Sequence, residues 1–337
     1  DPLENSPIPL PENFLSLQKA QSLQSVLDSI IDFTYSSPAD STPLTRWTYH
    51  YNSAGQFETL YTYNWNSSSN EWENSLFIEY TYNDNGDFIL VMLYAWDSAS
   101  EQWVTNSKSE YDYDEMGNLT LLASYFWDQG LSLWIGNFKS ESEYDENGNT
   151  IQEIQFSWDD EINDWVNDLL YENMYDLNGY LVETGQSDWI EGQWIPDYKV
   201  VYEINLNGDP DSSFFYNWNS GEWEVSQKQI FTYNDQNLLV QSLTYHWTVN
   251  NVWLFDIKRE LEYDDNGNRT LDAYFLWNGF NWDGYQKSEI EYDDNGYVIL
   301  YIYSVWDNLG MDWEYYSRLE QENTASGNII WFDYSTW

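Results

Sequence analysis

The stretch Glu262–Trp282, EYDDNGNRTLDAYFLWNGFNW, contains the plan of the whole chain. It reads as a strand, a tight turn, a second strand, and a loop framed by two tryptophans. Near-copies recur from residue 46 to the C-terminus. With the turn glycine as origin, Gly55, Gly86, Gly117, Gly148, Gly179, Gly208, Gly267, Gly296 and Gly327 stand 29 to 31 residues apart, with Asn237 filling the one gap, which makes ten repeats. Ten residues beyond each origin lies a tryptophan, from Trp65 to Trp337, and a second lies 14 residues before the next origin, from Trp72 to Trp313. All variation in length falls between those two tryptophans. Fixed spacing marks residues held in a ladder and variable spacing marks a loop tip, because a ladder cannot absorb an insertion without reversing its faces.

The arms of each repeat alternate in the manner of strands. Phe88, Leu90, Met92, Tyr94 and Trp96 follow one another at every second position, as do Leu119, Leu121, Ala123, Tyr125 and Trp127. The turn Tyr263-Asp264-Asp265-Asn266-Gly267 fits a three-residue hairpin loop with a bulge at the glycine. An unbroken register from that turn pairs Tyr263 with Arg269, Leu261 with Leu271, Tyr82 with Phe88 and Tyr80 with Leu90. The two loop tryptophans then become a cross-strand pair on the aromatic face. The opposite face is expected to be polar. It would carry Arg46, Lys108, Lys139, Lys199, Lys228, Lys258, Lys287 and Arg318, eight of the 11 cations in the chain, with Glu79, Glu110, Glu141, Glu172, Glu260, Glu289 and Glu320 beside them.

Outside the repeats the chain changes character. Residues 1–13 carry four prolines and read as an extended arm, and Leu17, Ala20, Leu23, Val26, Leu27, Ile30 and Ile31 predict an amphipathic helix over residues 14–31. Residues 32–45 read as a linker. The domain division is therefore 1–45 for arm, helix and linker, and 46–337 for the β-hairpin repeat domain. Asp1 in place of methionine fits a processed chain. The expected fold is all-β: a repetitive antiparallel β-meander of ten hairpin repeats, coiled into a spiral or superhelical sheet. About 20 strands at a spacing of ~4.8 Å would form a flat ribbon of ~95 Å with its aromatic face in water, so the sheet must curl. A propeller with two repeats per blade would require loop lengths that alternate, and they do not.

Composition restricts the function. Aromatic residues make up 20% of the chain, and 58 acids against 11 bases leave a net charge of -47. Such a field repels nucleic acid and anionic membrane surfaces. There is no cysteine and no apolar run long enough for a membrane span. The only histidines, His50 and His246, occupy ordinary strand positions, and no phosphate loop, zinc spacing or nucleophile elbow is present. The expectation is a protein that is not an enzyme. The turns with Asp264, Asp265, Asn266, Asp293 and Asp294 resemble a fragment of a calcium loop without its distal glutamate, which makes calcium the one candidate cofactor. The last strand, with Ile329, Ile330, Trp331, Phe332, Tyr334 and Trp337, is apolar and nearly uncharged. It is a template for pairing with another chain, and with Leu23, Leu27, Ile30 and Ile31 of the N-terminal region it forms the candidate assembly surface for a head-to-tail homo-oligomer.

The recurrent Tyr-Asp-x-x-Gly ahead of an apolar strand, as in Tyr144-Asp145-Glu146-Asn147-Gly148, resembles the YD repeat of the Rhs family of secreted bacterial proteins, and repeat-rich exported proteins of Bacteroidetes. The likeness covers residues 46–337. It implies a secreted, extracellular or cell-surface β-repeat shell or stalk. The period near 30 with an added tryptophan pair departs from that family, and neither a proteolytic core segment nor a toxin domain is found. Two functions are consistent with these features. One is an extracellular structural repeat protein that self-assembles into a filament or surface matrix through its unlike ends. The other is an adhesin or glycan-binding module whose loop-end Trp and Tyr, around Asn64–Trp72 and Asn278–Trp282, stack on a polysaccharide.

Overall fold

The structure is a computed structural model describing residues 28–37, 40–324, 327 and 329–336. Every regular element among them is a β-strand. The strands are β1 (Ser29–Ser37), β2 (Asp40–Tyr51), β3 (Phe57–Asn66), β4 (Glu71–Tyr82), β5 (Phe88–Asp97), β6 (Gln102–Tyr113), β7 (Leu119–Asp128), β8 (Leu133–Tyr144), β9 (Thr150–Asp159), β10 (Asp164–Tyr175) and β11 (Leu181–Ile190). They continue as β12 (Gln193–Ile204), β13 (Pro210–Asn219), β14 (Glu222–Tyr233), β15 (Leu239–Trp247), β16 (Trp253–Tyr263), β17 (Arg269–Trp277), β18 (Trp282–Tyr292), β19 (Val298–Asp307), β20 (Asp312–Asn323) and β21 (Ile329–Thr336). The chain divides into two compact units, residues 1–172 with 188–195 and residues 173–187 with 196–337. In each unit successive strands pair antiparallel in the order of the sequence, which is the expected meander.

The tight turns form as their chemistry requires. In Asp264–Asn268 the Asp264 N–H donates to the Asn268 carbonyl at 2.9 Å and the Gly267 N–H to the Asp264 carbonyl at 3.0 Å. Gly267 sits at φ +84°, where a side chain would be strained, and Asn237 takes the same place at φ +60°. Neighbouring turns touch, with Gln56 Nε2 donating to the Gly86 carbonyl at 3.1 Å and Asn207 Nδ2 to Asn237 Oδ1 at 3.0 Å.

The expected register holds for the first pair beyond each turn and then fails. Tyr82 faces Phe88 and Tyr263 faces Arg269, but the next partners are Thr81 with Leu90 and Glu262 with Leu271. Ile89 and Thr270 are skipped, so Tyr80 faces Val91 and Leu261 faces Asp272. Each is a β-bulge, and a one-residue slip sends every later side chain to the opposite face. A second bulge lies near the tryptophan loop on the returning strand. Thr62 faces Leu76 and Tyr63 faces Asn74, leaving Ser75 unpaired. Two bulges per repeat therefore divide the side chains differently from strict alternation. One face carries the tryptophan pairs, the Lys and Arg row and its glutamates. The other carries the turn-side tyrosines and the aliphatic positions. The core of the first unit, Phe57, Leu60, Ile78, Tyr80, Val91 and Leu93, belongs entirely to this second face.

The sheet curls within each unit. Tyr61 on β3 meets Trp103 on β6 at 6.1 Å between ring centroids, and Phe275 on β17 meets Trp313 on β20 at the same distance. Three strand spacings in a flat sheet would be about 14 Å. On the opposite face, the hydroxyls of Tyr82, Tyr144, Tyr233, Tyr263 and Tyr292 reach across to the preceding, adjacent strand, to the carbonyls of Phe57, Leu119, Pro210, Leu239 and Arg269 at 2.7 to 3.0 Å. These carbonyls lie just before the skipped residue of each turn-side bulge. The tyrosine thus satisfies a backbone acceptor at the point where the ladder is interrupted.

The N-terminal region differs from its reading as helix and linker. Ile30 and Ile31 lie in β1, which pairs with β2 through Ile30 with Trp47 and Ile31 with Arg46. The β-branched and aromatic residues Ile30, Ile31 and Phe33 favour an extended chain once the edge of β2 offers backbone partners, and tertiary pairing overrides a helical spacing of apolar residues. Leu23 and Leu27, like Trp337, lie outside the described residues.

Candidate functional site

The most regular side-chain constellation is a ladder of rings and cations. All nine tryptophan pairs form as cross-strand partners, with centroids 4.8 to 5.2 Å apart and planes at 64° to 84°. Edge-to-face geometry sets the positive rim of one indole against the negative face of its partner. The pairs are half-buried on the curled face, each indole packed against its partner.

The cation row lies on that same face, not on the polar face expected for it. Lys108 Nζ sits 4.4 Å from the centre of the Tyr125 ring and 5.1 Å from Trp134, and Lys258 Nζ lies 4.1 Å from Phe275 and 5.6 Å from Trp282. Arg46, Lys199 and Lys228 repeat the arrangement over Tyr63 and Trp72, Tyr216 and Trp223, and Tyr245 and Trp253. Glutamates two residues further on complete it. Lys139 pairs with Glu141 at 2.7 Å, Lys258 with Glu260 at 2.9 Å, Lys287 with Glu289 at 2.7 Å and Arg318 with Glu320 at 2.8 Å, and Lys108 pairs with Glu110. Lysine stems cover the rings while the ammonium groups are held between a ring and a carboxylate, a structural use of scarce positive charge. In the second repeat Phe77 takes the cation's place, stacked 4.6 Å from Tyr61 and 5.2 Å from Tyr94, and Glu79 instead accepts the Tyr94 hydroxyl at 2.9 Å. Where Ser304 stands in place of the ring, Lys287 rests on Trp313.

The acidic turns use their carboxylates internally. Asp264 Oδ1 accepts the Asn266 and Asn268 N–H groups at 2.9 and 2.8 Å, and Oδ2 accepts Asn268 Nδ2 at 3.0 Å. Asp293 Oδ1 takes Asn295 N and Tyr297 N, both at 2.9 Å. These donors, led by the Asn268 side chain, hold the Asp264 carboxyl below the usual aspartate range, and Asp114 and Asp145 are held down in the same way by Asn118 and Asn149. Asp265 and Asn266 are exposed in the Asp264 turn and Asp294 in the Asp293 turn. Among the described residues no group of three or more His, Cys, Asp or Glu is placed to hold a metal.

The assembly residues of β21 lie together at a sheet edge. Ile329, Ile330, Trp331, Phe332 and Tyr334 are each more than half exposed, although β21 pairs with β20 along its length. Alternate residues face opposite ways, so both faces of this strand are open. Ile30, Ile31 and Phe33 of β1 are exposed in the other unit. His50 lies edge-on to Tyr61 at 5.8 Å, an ordinary ring contact on a strand. No described helix is long and apolar enough to cross a membrane.

No family model and no curated protein matches the chain. Among solved structures, it is similar to a DUF3836 family protein from Parabacteroides distasonis, with 15% identity and a TM-score of 0.23 over 31% of this chain and 82% of that one. It is also similar to a protein of unknown function from Bacteroides fragilis, at 16% identity and a TM-score of 0.17 over 55% of this chain and 91% of that one. The Photorhabdus luminescens Tc holotoxin pore aligns at 11% identity and a TM-score of 0.27, over 90% of this chain and 18% of that one. Scores this low leave the β-repeat fold standing on the strand pairing above.

Proposed function

We propose that the chain is an extracellular structural repeat protein, of YD/Rhs-like character, that self-assembles head to tail into a filament or surface matrix through β1 and β21. The observation that carries this reading is the exposure of β21 on both faces. Five of its eight residues are large apolar or aromatic side chains in solvent, and Asp333 is its only charge. In a chain of net charge -47, that strand meets another copy with little like-charge repulsion of its own. Ile30, Ile31 and Phe33 of β1 supply an apolar counterpart of different sequence. A contact between unlike edges repeats by translation and builds filaments. The ring-and-cation ladder suits this role, since a rod must hold its repeats in register. Secretion is part of the proposal, supported by the composition and the YD-like motif.

Sedimentation velocity and electron microscopy over a concentration series test it. Association that rises with concentration and is abolished by Ile330→Lys with Phe332→Lys is expected. A monomer at every concentration, for the wild-type chain, refutes it.

A further inference from the structure

In a repeat protein the shared residues hold the fold, so a site shows itself where one region departs from the repeat. The clearest departure lies on β17 to β20, on the face opposite the tryptophans. The residue skipped by the loop-side bulge is small and polar in most repeats: Ser75, Asn106, Asn137, Asp168, Ser226 and Asp256. In the last two of these bulges it is Tyr285 and Tyr316. A skipped residue has no cross-strand neighbour to pack against, and both rings are more than half exposed. Tyr303 stands between them, edge-on to Tyr316 at 5.8 Å, and its hydroxyl donates to Gln286 Oε1 at 3.0 Å.

Tyr285, Tyr303 and Gln286 line an open depression of about 350 Å³, together with Asp283, Asn278 and Asn308. Asp283 Oδ2 accepts Asn278 Nδ2 at 2.9 Å, so the carboxylate is anchored with Oδ1 unpartnered among the described residues. The Tyr303 hydroxyl fixes the Gln286 amide in turn and leaves its Nε2 to donate. The site therefore combines rigid aromatic surfaces with a fixed acceptor and a fixed donor, the combination that holds a ligand with both apolar and hydroxyl-bearing faces.

We infer that this depression binds a neutral pyranose glycan, with Tyr285 as the stacking platform within it, Tyr316 extending the aromatic surface beyond Tyr303 for a neighbouring sugar, and Asp283 and Gln286 binding hydroxyl groups. A sugar ring presents a patch of C–H bonds to the electron-rich face of tyrosine and a rim of hydroxyls to carboxylate and amide. The net charge of -47, and Asp283 within the depression, disfavour acidic polysaccharides. A peptide added as a strand is excluded here, because β17, β18 and β19 are paired on both sides. This inference does not depend on self-assembly. It moves glycan recognition from the loop-end tryptophans, which are paired, to the tyrosines behind them.

Titration calorimetry of the full chain with cellohexaose, xylohexaose, mannohexaose and polygalacturonate tests the inference. Saturable binding of at least one neutral hexasaccharide is expected, with affinity reduced about tenfold by Tyr285→Ser or Tyr316→Asn, the loss of roughly one aromatic stack. Those variants restore residue types that other repeats carry at the same bulge, so the fold tolerates them. Tyr285→Phe keeps the stack and should retain affinity within about threefold. No binding of any neutral hexasaccharide, unchanged affinity in both bulge variants, or preference for polygalacturonate would overturn it.

Discussion

Gly136 on β8 offers the sharpest test of the two-bulge register. The bulges place it on the tryptophan face directly beneath the next pair, and a Cβ built there would lie 2.3 Å from Trp158 Cε3 and 2.6 Å from Trp165 Cη2 and Cζ2. Its backbone is not in the left-handed region, so Gly136→Ala adds a steric demand and no torsional strain. A methyl group cannot share that space, and the indoles must move. Overpacking of this kind costs about 1 to 3 kcal/mol. The Trp158–Trp165 contact, 5.2 Å at 84°, contributes roughly another 0.5 to 1.5 kcal/mol where it is broken. The Trp165 Nε1 donation to the Tyr125 hydroxyl, 3.2 Å long, adds about 1 kcal/mol. Partial relaxation leaves an expected loss of about 2 to 4 kcal/mol in the first unit. Urea unfolding followed by tryptophan fluorescence reads the stability, and near-UV circular dichroism reads the indole pair. Asn74→Ala, at the equivalent position of another repeat, should lose less than about 0.5 kcal/mol. A Gly136→Ala protein within that margin, with an unchanged near-UV spectrum, would mean that the faces have been assigned wrongly.

Three further outcomes follow from the same geometry. Lys258→Met keeps the stem over Phe275 but removes the charge from Glu260, and should destabilise the second unit by about 1 to 2 kcal/mol, with a smaller effect in high salt; a neutral result in chemical unfolding would deny the ladder a stabilising role. The turn carboxylates Asp114, Asp145 and Asp264 have lowered folded pKa values, so their contribution is fully present above the ordinary aspartate value near 3.9 and is lost as pH falls through the folded values. Replacing all three with Asn, as found at Asn52, Asn83, Asn205 and Asn234, should move the acid-unfolding midpoint to lower pH; an unmoved midpoint assigns acid sensitivity elsewhere. Burial raises Tyr82 to about 12, and its hydroxyl donates to the Phe57 carbonyl. Because the folded value lies above the unfolded one near 10, stability from this group is complete below pH ~10 and lost as pH climbs toward 12. Tyr82→Phe should flatten that alkaline loss in a pH series of thermal melts, and an identical slope would count against it.

The period, the hairpin turns and the tryptophan pairing were legible from residue order, because each is set over a few covalent bonds. Asp or Asn three places before a left-handed glycine closes its own turn, and indoles at fixed distances on either side of a short loop must meet across it. The faces were not legible. In β5, FILVMLYAW is apolar at every position, so its pattern reads equally well with or without a flip, and nothing local marks Ile89 as the residue to be skipped. The Tyr82 hydroxyl on β4 donates to the Phe57 carbonyl of the adjacent β3, just before the skipped Glu58, so the group that completes the bulge comes from a strand the local sequence does not contain. The same bulges brought the cation row and the tryptophans to one face, and Ile30 and Ile31 became strand because β2 offered them a ladder. Sequence alone determined which residues are neighbours through the turn. Tertiary structure decided which side of the sheet each one faces, because a bulge is completed by a side chain of the neighbouring strand, 25 residues away along the chain at Tyr82 and Tyr144.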